Sequence, residues 1–305
     1  MRSKYFRISV TKRCNLSCYY CHKEGNYSAA NEELTPAEFQ TACEVALDAG
    51  FTKFKLTGGE PTYRKDLGEI VSRLSQLSLP DFSMITNGTL LEDCAQVLWN
   101  CGLRRLNVSL NTLNPKKFRM LQRNSNLSVG KILRGIEAAQ QVGFKHIKLN
   151  FVFVNEESRS DLKELISYVS GKDLTLVLLP VMEETSYYTL GYLYELLKDY
   201  GIEDEEVIAD NEGIKKRLIR LKAKSKVLLR MDELAEKRPY IFCVECEESK
   251  KCREGIFPIR LSADGELIPC MASSKHRISI RQQLANRDTS ALKAAFNKIK
   301  GWYSK

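Results

Sequence analysis

Residues 5–11, YFRISVT, alternate apolar and polar positions as a half-buried strand does, and the alternation ends just short of a cysteine. In TPAEFQTACEVALDAG (35–50) the period lengthens to that of a helix. Thr35 is placed as its N-cap, Pro36 sits in the first turn, Glu38 can complete a capping box, and Gly50 follows the end. FTKFKLTGG (51–59) returns to strand spacing. The two periods keep exchanging: helix at 66–78, strand at 81–86, helix at 90–101, strand at 103–110, helix at 128–142, strand at 145–154, helix at 158–170, strand at 174–181. Strands separated by helices of this length predict βα units on a parallel sheet. The fold class expected is α/β: six such units fit a partial or complete TIM-like barrel better than a plain open sheet, with a small C-terminal module.

The regularity stops near residue 200, which divides the chain into a barrel (1–200), a charged helical bridge (201–238) and a C-terminal module (239–305). Within the bridge, IKKRLIRLKAKSKVLLR (214–230) holds much of the excess positive charge; the whole chain has 47 Lys and Arg against 38 Asp and Glu, a net +9. An anionic partner is one reading of that stretch. The preferred one is the solvated face of a helix, because Ile214, Leu218 and Leu221 fall at helical spacing, and nucleic acid is not an expected partner. With 43% hydrophobic and 28% charged residues, no run long enough for a membrane span and no apolar leader before the first strand, a cytoplasmic enzyme is expected.

Ten cysteines are unevenly placed. Cys43, Cys94 and Cys101 sit singly in helical segments and read as small buried hydrophobes. Cys14, Cys18 and Cys21 form C-x3-C-x2-C in CNLSCYYC, on the loop at the carboxyl end of the first strand, where parallel α/β folds place their chemistry. Three thiolates suit three irons of a 4Fe–4S cluster and leave the fourth iron open. Zinc needs a further ligand, for which His22 is the candidate. LTGGEP (56–61) brings Gly58 and Gly59, which permit close backbone approach, and Glu60, which can accept from an ammonium group.

CNLSCYYC and LTGGEP, in this order and spacing, resemble the signature elements of radical S-adenosylmethionine enzymes. FRISVTKRCNLSCYYCHKEG, KLTGGEPTYRKDL, MITNGTLL, LNVSLNTLNPKKF and GIEAAQQVGFKHIKLNFVFV narrow the resemblance, over residues 5–180, to the GTP 3′,8-cyclase family of molybdenum-cofactor biosynthesis. The resemblance implies a partial six-unit (β/α) TIM-like barrel, reductive cleavage of S-adenosylmethionine to a 5′-deoxyadenosyl radical and hydrogen abstraction from a nucleotide. It implies S-adenosylmethionine contacts from Gly58, Gly59, Glu60, Pro61, Thr86, Asn87 and Ser109, and an electron donor such as ferredoxin or flavodoxin. Arg7, Arg64, Lys148 and Arg260 are the candidate nucleotide contacts, with surface charge or barrel salt bridges as the plainer reading.

The C-terminal cysteines depart from that family. Cys243, Cys246, Cys252 and Cys270 run C-x2-C-x5-C-x17-C, one cysteine more than the family's second cluster carries, although IRLSADGELIPC keeps its pattern and Asp264-Gly265 signals a hairpin. Four thiolates would close a second, auxiliary 4Fe–4S cluster, as in peptide-modifying relatives, and they also suit zinc. Pro258 stands where the family has an arginine, Asn111 where it has an acid, and IKGWYSK ends the chain without a glycine-rich tail. Radical modification of a peptide or other small molecule is therefore the alternative to a nucleotide substrate.

Overall fold

The computed structural model describes residues 4–25, 32–123, 127–181, 188–209, 215–222, 224–231, 243, 258–271 and 276–302. Six parallel strands alternate with helices: β1 (Tyr5–Ser9), α1 (Pro36–Asp48), β2 (Lys53–Thr57), α2 (Leu67–Ser75), β3 (Asp81–Thr86), α3 (Leu91–Asn100), β4 (Leu106–Ser109), α4 (Pro115–Gln122), α5 (Val129–Val142), β5 (Ile147–Phe153), α6 (Ser158–Val169) and β6 (Leu174–Pro180). Then come α7 (Leu190–Lys198), β7 (Ile202–Ala209), β8 (Lys215–Leu221), β9 (Ser225–Arg230), β10 (Pro258–Leu261), β11 (Glu266–Ile268), β12 (Ile278–Ser279), α8 (Arg281–Ala285) and α9 (Thr289–Gly301). The described strands form one sheet in the order β12-β11-β10-β1-β2-β3-β4-β5-β6-β9-β8-β7.

The expected capping box starts α1: Glu38 N–H donates to Thr35 Oγ1 at 3.3 Å, and Thr35 N–H to Glu38 Oε2 at 2.7 Å. Alternation along each strand separates two faces. Phe6, Ile8, Phe54, Leu56, Met84, Val108, Leu149 and Leu176 are fully buried in the apolar core, on the face that carries the helices. Tyr5, Arg7, Lys53, Lys55, Asn107, Lys148, Asn150 and Thr175 take the alternate positions on the concave face.

The charged bridge is not helical where it is described. β7, β8 and β9 form an antiparallel meander that joins the barrel through parallel pairing of β9 with β6. Two periods compete in KKRLIRL. The spacing of Leu218 and Leu221 suggests a helix, yet the side chains that become fully buried are Ile219, Leu221 and Val227, each facing inward at strand spacing. Cross-strand ion pairs then organise the charge: Arg217 with Glu205 at 2.5 Å, and Arg220 with Asp204 at 2.5 Å and Glu206 at 3.0 Å.

The segment from Pro258 onward completes the barrel edge. β10 lies parallel to β1, with Arg260 opposite Arg7, and turns through Asp264-Gly265 into β11 as expected. α9 packs Phe296 against Phe6 at 5.5 Å and Phe51 at 5.9 Å between ring centroids. Phe296→Ala is expected to cost about 3–5 kcal/mol of stability, the range for emptying a buried aromatic site. Denaturant unfolding measures it; a cost below about 1 kcal/mol would mean that α9 is not part of the barrel core.

Candidate active site

Cys14, Cys18 and Cys21 are free thiols on the loop leaving β1, with Cys14 and Cys21 exposed and Cys18 half-buried. The loop is fastened at both ends. On one side Ser17 N–H donates to the Gln122 carbonyl at 3.1 Å, and the Cys18 thiol donates to Gln122 Oε1. On the other, Asn87 Nδ2 donates to Asn15 Oδ1 at 2.8 Å, and Asn15 Nδ2 to Thr89 Oγ1 at 2.9 Å. Burial pushes the Cys14 thiol up and Cys18 to about 12, with the neighbouring thiols adding to both shifts. His22 Nδ1 accepts from Glu24 N–H at 3.1 Å, so this ring nitrogen caps the turn at Lys23–Gly25.

The Gly-Gly pair serves the loop itself. Gly59 N–H donates to Thr11 O at 2.7 Å and Glu60 N–H to Arg13 O at 2.8 Å. A Cβ on Gly58, whose φ is 147°, would come within 2.4 Å of Thr11 O, and one on Gly59 within 2.1 Å of Arg13 O. Only glycine lets the end of β2 lie this close to the backbone that leads into Cys14.

Glu60 follows, 1% exposed, and its carboxylate is a hub. Oε1 accepts from Thr62 N–H at 3.0 Å, Thr62 Oγ1 at 2.5 Å and Thr86 Oγ1 at 2.6 Å, while Oε2 accepts from Asn87 N–H at 2.6 Å. Burial raises its pKa despite these donors. Glu60 thus ties the end of β2 to the end of β3 rather than standing free as an acceptor. Pro61 is buried at the start of the short 3-10 turn Pro61–Tyr63, which Glu60 caps. Asn87 Oδ1 accepts from Thr89 N–H at 3.0 Å, and Ser109 pairs with Asn150 across β4 and β5.

Of the four candidate cations, Arg64 turns out to be a tether. Its guanidinium donates to the Val10 and Leu34 carbonyls and to Asp66 at 2.6 and 2.9 Å, and it stacks over Phe39. Arg7, Arg260 and Lys148 face the barrel interior. Arg7 and Arg260, neighbours across β1 and β10, both pair with Glu24, Arg260 at 3.3 Å. Burial by itself would raise the Glu24 carboxyl; Arg7, then His22, Arg260 and the Thr57 hydroxyl outweigh it and hold the carboxyl at about 2. The sequence reading overlooked Glu24, Gln122 and Lys55. The signal for Lys55 was present in KFK, where its polar position alternates with Phe54 and Leu56. Lys55 lies beside Arg7 in register, and burial followed by the charges of Lys53, Arg7 and Lys148 lowers its pKa strongly. Burial, with Arg105 and Lys216 next, brings Lys148 to about 8.

Cys270 is buried after β11, and the next residue, Met271, packs on Gly25, where a Cβ would lie 3.2 Å from Met271 Cα. Both cysteine groups thus reach the short turn that carries Glu24. Cys243 is half-buried against the core; Cys246 and Cys252 lie outside the described residues.

This arrangement, three free thiols on the β1 loop of a curled parallel sheet, is that of one enzyme class, and residues 8–169 match the model of the Radical SAM superfamily. The chain belongs to that superfamily. It is 30% identical over 296 residues to a probable GTP 3′,8-cyclase of Methanothermobacter marburgensis, covering 95% of this chain and 91% of that one. A probable GTP 3′,8-cyclase of Methanococcus aeolicus is 34% identical over 292 residues, covering 93% and 90%. Among solved structures, Streptococcus suis SuiB bound to S-adenosylmethionine superposes with a TM-score of 0.66 at 17% identity, a likeness of fold. The match spans 99% of this chain and 64% of SuiB.

Superfamily membership implies a 4Fe–4S cluster and S-adenosylmethionine, which together supply a 5′-deoxyadenosyl radical by reductive cleavage. The donor set fits. Among the described residues no three His, Cys, Asp or Glu side chains converge as on a single metal ion. A cluster asks less, because each thiolate binds its own iron. Among the described residues no helix is long and apolar enough to cross a membrane.

Two outcomes follow. Gly59→Ala forces the loop away from β2, and iron retained after anaerobic reconstitution should fall severalfold, whereas Gly68→Ala, whose Cβ meets nothing closer than 3.5 Å, should retain it. Glu24, depressed in the folded state, contributes stability that is complete above its ordinary value of 4.5 and is lost as pH falls towards about 2. Thermal midpoints across that window should drop in the wild type, and Glu24→Gln should remove this part of the dependence.

Proposed function

We infer that the chain is a GTP 3′,8-cyclase-like enzyme: a radical generated at the loop end of the barrel takes hydrogen from the ribose of GTP or a related nucleotide, and the product rearranges. The observation that carries this reading is the cationic concave face. Arg260, Arg7 and Lys55 share one register across β10, β1 and β2, and Lys148 projects from the same face on β5. Among the described residues Lys55 and Lys148 have no acidic partner at ion-pair distance, so a triphosphate offers both the counter-charge that burial makes favourable. The names of the relatives support the same substrate. Glu24 bridges the two arginines through its two carboxylate oxygens.

Cys14, Cys18 and Cys21 hold the first cluster in this reading. Gly58, Gly59, Glu60, Pro61, Thr86, Asn87 and Ser109 frame S-adenosylmethionine, with Glu60 acting through Asn87 and Thr86. Cys243, Cys246, Cys252 and Cys270 supply the ligands of a second 4Fe–4S cluster next to the nucleotide, three of them binding so that one iron is left for the substrate, and a low-potential electron donor supplies the reducing equivalent. The fourth of these cysteines favours a second reading, a fully ligated auxiliary cluster and a peptide substrate. Metal analysis and electron paramagnetic resonance separate the two. About eight irons per chain mean two clusters, and a GTP-dependent change in the second signal means an open iron. About four irons and one zinc would make the C-terminal site structural.

Lys148→Ala should weaken GTP binding about tenfold to a hundredfold, the value of a charge-assisted contact, with S-adenosylmethionine binding unchanged. Because the free amine titrates at about 8 and an anion raises it, wild-type GTP affinity should fall as pH rises through 8, and the variant should lose that slope. Calorimetric titration with GTP reads both effects. Equal affinity in the two proteins would remove Lys148, and with it the nucleotide reading, from the site.

A further inference from the structure

α4 lies against the cysteine loop and carries a surface that the reaction itself does not use. Phe118 and Gln122 are its buried side chains. Lys116, Arg119, Met120 and, just past the helix end, Arg123 recur at intervals of three and four and share the opposite, solvent face. Met120 is 74% exposed, more than any other large apolar side chain described. Elsewhere most exposed arginines are ion-paired, as Arg73 is with Glu69, Arg105 with Asp81, Arg134 with Glu92 and Arg159 with Glu156, while Arg104 is held by backbone carbonyls and the Trp99 ring and Arg287 stands singly among the described residues. On α4 itself Lys117 pairs with Asp161 at 3.1 Å. Lys116, Arg119 and Arg123 have no ion-pair partner among the described residues. An exposed methionine inside a rim of unpaired cations has the anatomy of an interaction surface.

That surface is one side chain from the cysteine loop. The Cys18 thiol donates to Gln122 Oε1, and Gln122 Nε2 donates to the Tyr20 hydroxyl at 3.2 Å. Tyr19, 40% exposed, packs edge-on against Tyr20 with ring centroids 5.3 Å apart. Reductive cleavage requires an electron from outside the chain, and a carrier must bring its own redox centre within reach of the cluster.

We propose that the Lys116–Arg119–Met120–Arg123 face of α4 is the docking surface for the protein that reduces the cluster, a small acidic one-electron carrier with a flavin or iron–sulfur centre. The inference rests on the radical S-adenosylmethionine reading of the loop. The carrier loses one electron and the cluster gains it; that electron breaks the carbon–sulfur bond of S-adenosylmethionine, leaving methionine and the 5′-deoxyadenosyl radical. Charge complementarity selects the occupant, since an acidic protein supplies counter-charges for three cations together with an apolar patch that buries Met120. A nucleic-acid backbone would supply only the charges.

The test uses reconstituted full-length protein with reduced flavodoxin of net negative charge as the probe. The triple variant Lys116→Glu/Arg119→Glu/Arg123→Glu is compared with Lys145→Glu/Lys172→Glu/Lys224→Glu, which changes the net charge equally at the opposite ends of the strands. Flavodoxin binding is measured by calorimetry at low and high salt, and cluster reduction by stopped-flow absorbance. The first variant should bind about tenfold more weakly or worse at low salt and be reduced correspondingly slowly; the second should match the wild type. Met120→Ala should weaken binding while keeping the salt dependence. Dithionite-driven cleavage of S-adenosylmethionine should be equal in all of them. Undiminished flavodoxin binding by the α4 variant, equal loss in the control, or loss of dithionite-driven cleavage along with binding would each overturn the proposal, as would loss of self-association or RNA binding in place of flavodoxin binding. Failure of dithionite to drive cleavage in the wild type would instead sink the underlying reading of the loop.

Discussion

The chemistry of this fold depends on one close approach, that of the Gly58-Gly59 backbone to Thr11 and Arg13. Two short backbone hydrogen bonds, at 2.7 and 2.8 Å, fix the start of the cysteine loop to the end of β2, in a gap that admits no Cβ. From there the constraint spreads through Glu60. Its buried carboxylate gathers Thr62, Thr86 and Asn87, and Asn87 returns to Asn15 within the loop. The result is a closed circuit of hydrogen bonds linking the ends of β1, β2 and β3. Each bond is worth only about 1 kcal/mol net. Its larger effect is positional, because no one loop can shift without breaking contacts to the other two.

A second constraint runs across the sheet. The same strands that bury Phe6, Ile8, Phe54 and Leu56 under the helices present Arg7, Lys55 and, from β10, Arg260 on the concave face, because neighbouring side chains on a strand point oppositely. Desolvating several like charges is costly unless counter-charge is at hand. Glu24 provides it for the two arginines, and the Lys23–Gly25 turn adopts positive φ at all three residues in delivering that carboxylate. Lys55 and Lys148 are left to relieve the strain by releasing protons or by meeting an anion. Among the described residues the inner face is therefore electrostatically incomplete, which is the ground for proposing an anionic substrate there.

The βα order, the capping box on α1, the Asp264-Gly265 hairpin and the placement of CNLSCYYC after β1 were all legible in the sequence, because each is encoded locally. What was not legible depends on partners distant in the chain. Nothing near Arg64 announces that its donors go to Val10 and Leu34, so it stood as a candidate nucleotide contact beside the plainer reading of a salt bridge. In KKRLIRL the local periods conflict, and pairing with β7 and β9 decides for strand. α4 escaped notice because only Phe118 and Gln122 of its short span are buried. Glu24 stood inside a quoted motif, yet its role exists only once β10, entering from more than two hundred residues away, brings Arg260 beside Arg7.

The net charge of +9 therefore resolves into surfaces with different work. On β8 Arg217 and Arg220 are answered by Asp204, Glu205 and Glu206 of β7, and that charge is internal to the meander. On the concave face it is buried and only partly answered, which makes it sensitive to protons and to anions but largely insensitive to salt. On the outer face of α4 it is exposed and has no ion-pair partner among the described residues, which makes it sensitive to salt and able to act at a distance. Under the two proposals these cations answer to different partners: those on the concave face to a buried anionic substrate, whose binding depends on protonation, and those on the outer face of α4 to a soluble electron carrier, whose approach depends on salt.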